Sequence, residues 1–69
     1  MWTLYNLSPC DQSDIDYCTQ LGCKVFVDKP NSYKRVNSLI IYSQDKKTNL
    51  LLQLKYATSL ALIKENYAI

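Results

Sequence analysis

The chain has 69 residues, 48% of them hydrophobic, with a formal net charge of +2, one glycine, two prolines, three cysteines and no histidine. That length allows one domain with a thin core, which leaves too few apolar side chains to line a deep substrate pocket. A sequence pI of 8.5 is also short of the strongly basic balance of a dedicated nucleic-acid binder, typically above about 9.

The absence of histidine removes the commonest general base, the usual serine and cysteine triads and every zinc site that needs an imidazole. With Gly22 alone, no glycine-rich phosphate loop can be written. The apolar stretch 50–63 is broken by Gln53, Lys55, Thr58 and Ser59, short of a membrane span. The opening residues have neither the basic start nor the long apolar run of a signal peptide. An odd number of cysteines without a secretory signal argues for reduced thiols and a cytoplasmic protein.

In chain order, residues 2–7 read as a first strand, aromatic and aliphatic. Ser8 can cap a following helix, with Pro9 at its first position and Asp11 answering across a capping box. Asp11, Asp14 and Asp16 place negative charge where the helix dipole favours it. Ile15, Cys18 and Leu21, with Tyr17, share one side at helical spacing. Gly22 fits the left-handed position that ends the helix. Residues 23–28 alternate Cys23, Val25 and Val27 against Lys24, Phe26 and Asp28, a second strand.

The stretch 29–35, opened by Pro30 and rich in turn formers, is a loop. Residues 36–43 read as a third strand through Ile40, Ile41 and Tyr42, and 45–49 as a hairpin loop. In 50–56, leucines alternate with Leu51, Gln53 and Lys55, which suits a fourth strand, with a helix from 58 or 59 to 67. The same leucines also fit one long helix face, and period does not separate the two. The expected fold is one α+β domain over 1–69, two layers in the order β-α-β-β-β-α, with a four-stranded mixed sheet, the first β-α-β unit parallel, and two helices on one face.

Candidate chemistry is sparse. Asp11, Asp14 and Asp16 are explained by helix capping, and their spacing gathers too few oxygens for a hard cation. Cys10, Cys18 and Cys23 contain no C-x-x-C pair, so no metal or cofactor is expected. Cys10, placed in a first helical turn, is the thiol that a lowered pKa would activate.

The aromatic inventory points to binding. Six tyrosines, Trp2 and Phe26 exceed what so small a core encloses, and strands with apolar residues on both faces need cover on each. Two helices cover one face, so the other meets a protein partner or a second copy. The expected function is a non-catalytic regulatory or adaptor protein that contacts its partner through Phe26, Tyr33, Lys34, Arg35, Tyr42 and Leu51. The alternative is a nucleic-acid-binding domain that uses Lys29, Tyr33, Lys34 and Arg35, cations for phosphates beside a tyrosine for a base.

Overall fold

A computed structural model describes residues 1–28 and 38–68. Its elements are β1 (Trp2–Leu7), α1 (Gln12–Gln20), β2 (Lys24–Asp28), β3 (Ser38–Ser43), α2 (Lys46–Lys55) and β4 (Leu60–Tyr67). The four strands form one sheet in the order β2-β3-β1-β4, and every neighbouring pair is antiparallel.

The α+β class, the four strands and the two helices are as expected, while the order and the mixed sheet are corrected. β1 and β2 do run in the same direction, but β3 lies between them. β3 and β4 likewise run together with β1 between them. The chain is thus two interleaved split β-α-β units, the connectivity of ferredoxin-like domains, which by itself implies no function.

The C-terminal assignments exchange places. The expected hairpin loop 45–49 and strand 50–56 are α2, and the expected helix 58–67 is β4. Asp45 is the N-cap of α2, accepting from the Lys47 amide at 3.4 Å while its own carbonyl accepts from Asn49 at 2.9 Å. The leucines that follow are strong helix formers with no β-branched residue among them. Thr48 and Leu52 are buried four residues apart and Tyr56 is half-buried a further four on, which is the stripe by which α2 packs. Leu60-Ala61-Leu62 has no such propensity for a strand. It is one because the free edge of β1 is there to be paired, and tertiary context overrides local preference.

α1 begins later than expected. Asp11, not Ser8, is the N-cap: its carboxylate accepts from the Asp14 amide at 3.1 Å, and the Asp11 amide donates back to Asp14 at 3.0 Å. The Ser13 hydroxyl, then the Asp14 amide, hold the Asp11 carboxyl below its usual pKa. The end of α1 is as expected. Gly22, at φ +86°, donates to the Thr19 carbonyl at 3.0 Å and Cys23 to that of Cys18 at 3.1 Å, the paired bonds of a Schellman motif.

Both helices pack on the same face of the sheet. The core joins Tyr5 and Leu7 of β1, Leu39 and Ile41 of β3, Cys18 of α1, Leu52 of α2, and Cys23. α2 reaches β1 through Asn49 to Thr3 (3.5 Å) and Gln53 to the Tyr5 hydroxyl (3.2 Å). The helices are tied to each other where the Tyr56 hydroxyl donates to Asp14 at 2.9 Å and the Lys55 ammonium sits 3.9 Å from the centre of the Tyr17 ring.

Candidate binding face

Strand alternation decides what the opposite face carries. Along β3, Leu39, Ile41 and Ser43 are buried under the helices, and Ser38, Ile40 and Tyr42 point the other way. On β1 the same alternation sends Thr3, Tyr5 and Leu7 to the helices and Trp2, Leu4 and Asn6 outward. The register sets Lys24 and Leu4 on either side of Tyr42, Lys64 beyond Leu4, and Tyr67 beside Trp2. No described element packs over this second face.

Its centre is Tyr42. The rings of Phe26, Tyr67 and Trp2 approach it at 5.3, 6.2 and 6.4 Å between centroids, with interplanar angles of 69° to 75°. Edge-to-face contact of this kind sets the positive rim of one ring against the negative face of the next. The face is fastened at two sides by cations, with Lys24 Nζ 5.4 Å from the centre of the Trp2 ring and Lys64 Nζ 5.3 Å from that of Tyr67. A register shift between Trp2 and Leu4, with Asn66 opposite it at φ +55°, brings Lys64 and Tyr67 to the same side although they are three residues apart. Burial falls away from the middle: Leu4 is 8% exposed and Phe26, on edge strand β2, 58%.

Phe26 and Tyr42 therefore share one surface, as the expected contact set requires. Leu51 does not share it, because residues 50–55 are helical and α2 lies on the other side of the sheet. Lys29, Tyr33, Lys34 and Arg35 lie outside the described residues. Trp2, Tyr67, Lys24 and Lys64 complete the cluster without having been singled out from the sequence. The alternation of β1 and β2 was enough to place Trp2 and Lys24, whereas Lys64 and Tyr67 could be placed only once β4 was known to be a strand.

The thiols are arranged for packing. Cys10 precedes the N-cap instead of occupying the first turn, and burial followed by the charges of Asp14 and Asp11 raises its pKa, the reverse of what a first-turn position would do. Cys18 and Cys23 are buried in the core; burial pushes Cys18 up to about 12 and raises Cys23. Between the end of α1 and the start of α2 lies a cavity of about 130 Å³ lined by Gly22, Cys23, Gln44 and Asp45 among others. That is below the several hundred cubic ångströms of small-molecule sites. Among the described residues no group of three or more Cys, Asp or Glu side chains is placed to hold a metal ion, and no helix is long and apolar enough to cross a membrane.

Compared with protein-family models, curated proteins and solved structures, the chain has no match.

Proposed function

We propose that this protein is a small, non-catalytic, cytoplasmic regulator or adaptor that docks another protein on the open face of its sheet, as an inhibitor, modulator or small subunit. One observation carries the reading: three aromatic rings, those of Trp2, Phe26 and Tyr67, converge on Tyr42 on a face that no described element covers. Tyrosine and tryptophan are the side chains that dominate interface energetics, and a contiguous aromatic patch with a charged margin has the anatomy of an interface core and rim. Contacts from Tyr33, Lys34 and Arg35 belong to the same proposal, at the β2–β3 connection.

The test is affinity capture from lysate with wild-type protein and with Phe26→Asp and Tyr42→Asp, each with and without nuclease. A stoichiometric protein that survives nuclease and disappears with either substitution supports the reading. Capture that ignores both substitutions sinks it. Loss of every partner on nuclease treatment transfers the function to the nucleic-acid alternative with Lys29, Tyr33, Lys34 and Arg35.

A further inference from the structure

β2 is an edge of the sheet. Among the described residues its strand neighbour is β3 alone, and that pairing runs through all 5 residues from Lys24 to Asp28 without a register shift. The middle of the strand, Val25-Phe26-Val27, is β-branched and aromatic, with Phe26 58% and Val27 45% exposed. A regular apolar edge that lacks proline, glycine and a bulge is a template for a further strand.

The sequence of this edge is complementary to itself. Lys24 and Asp28 are of opposite charge and equally distant from Phe26, and the register puts all three positions on the open face, with Val25 and Val27 on the helix face. We infer that two copies of the chain pair edge to edge through β2, antiparallel, across a two-fold axis at Phe26. Each Lys24 then stands opposite Asp28 of the second copy, each Val25 opposite Val27, and the two Phe26 residues meet. With the axis normal to the sheet, the helices of both copies lie on one side and the alternation matches across the junction. Lys24 is exposed, and turning outward costs it only a surface contact with the Trp2 ring, 5.4 Å from its centre.

Other arrangements fit less well. Parallel pairing of the same edges turns one sheet over and leaves neither charge opposite its complement, and an antiparallel slip of two residues sets a charge against Phe26. The outer edge of β4 is blunted by register shifts and by Asn66 at φ +55°. In the β2 dimer the two open faces become one surface, since Phe26 lies 5.3 Å from Tyr42 between ring centroids in each copy. The pairing holds or fails independently of what docks on that surface.

The experiment is sedimentation equilibrium of the full chain up to about 1 mM, because one short strand pair buries less than a standard interface and implies a dissociation constant of about 10–100 μM. Lys24→Asp and Asp28→Lys, each confirmed as folded by circular dichroism, set like charges opposite each other at both ends of the junction. Either one should weaken dimerisation about tenfold. Combining the two substitutions in one chain, or mixing the two singly substituted chains in equal amounts, restores opposite charges and should return association to the wild-type level. A wild-type chain that stays monomeric throughout overturns the pairing. So does a dimer indifferent to the single reversals, one that neither rescue restores, or one that is lost in Tyr42→Asp and untouched by the reversals. Growth into open filaments also overturns it, being the mark of β2 meeting β4 head to tail.

Discussion

The two faces of the sheet draw on the same kinds of residue and use them differently. Under the helices, Leu7, Leu39, Ile41 and Leu52 are almost wholly removed from water, and the one tyrosine among them, Tyr5, is held by Gln53. On the other side, Trp2, Phe26, Tyr42 and Tyr67 meet one another and two lysines, and only Leu4 is closed off. The covered face spends its apolar side chains on stability. The open one holds large rings in fixed geometry with Phe26 largely in water and Trp2, Tyr42 and Tyr67 half-buried, an arrangement that contributes less to folding than full burial would.

That contrast is exposed to test most severely by paired substitutions. Leu52→Ala, which empties a fully buried site beneath α2, should destabilise the protein by about 2–5 kcal/mol in urea denaturation. If Tyr42→Asp proves as damaging, the open face is a second core and the distinction fails. The link between the helices comes next. Tyr56→Phe removes the hydrogen bond to half-buried Asp14 and should cost about 1–2 kcal/mol, read in the same denaturation series.

Alkaline pH should also discriminate between the faces. A thiol whose folded pKa is raised contributes stability that is whole below its unfolded value of 9.0 and is lost as pH rises toward the folded value, about 12 for Cys18. Tyr56, raised by burial and by its bond to Asp14, acts in the same direction above 10.0. Stability measured from pH 8 to 11 should therefore fall, and Cys18→Ala should flatten the decline while Phe26→Asp leaves its slope unchanged. The smallest effect is expected of Phe26→Ala, within about 0.5 kcal/mol of wild type by thermal melting, since its ring is 58% exposed.

The first three strands, α1 and its glycine stop were legible because each has a local signal: alternation in β1 and β2, β-branched and aromatic residues in β3, capping acids in α1, a left-handed glycine at its end. The exchange of α2 and β4 was not, because four leucines in five residues satisfy both periods and the edge of β1 that recruits β4 is a tertiary fact. Of the candidate site, Phe26 and Tyr42 were readable as outward residues of their strands. Their meeting with Tyr67 was not, since it depends on β4 and on the shifted register near Asn66.

The strand order has a kinetic consequence. β1 is drawn first from the sequence and lies inside the sheet, with Leu4 paired to Tyr42 on one side and to Lys64 on the other. Both pairings close long loops, whose entropy is lost before any contact returns it. Folding should be slow for a chain of this length, and during synthesis β1 waits for its neighbours with both hydrogen-bonding edges open.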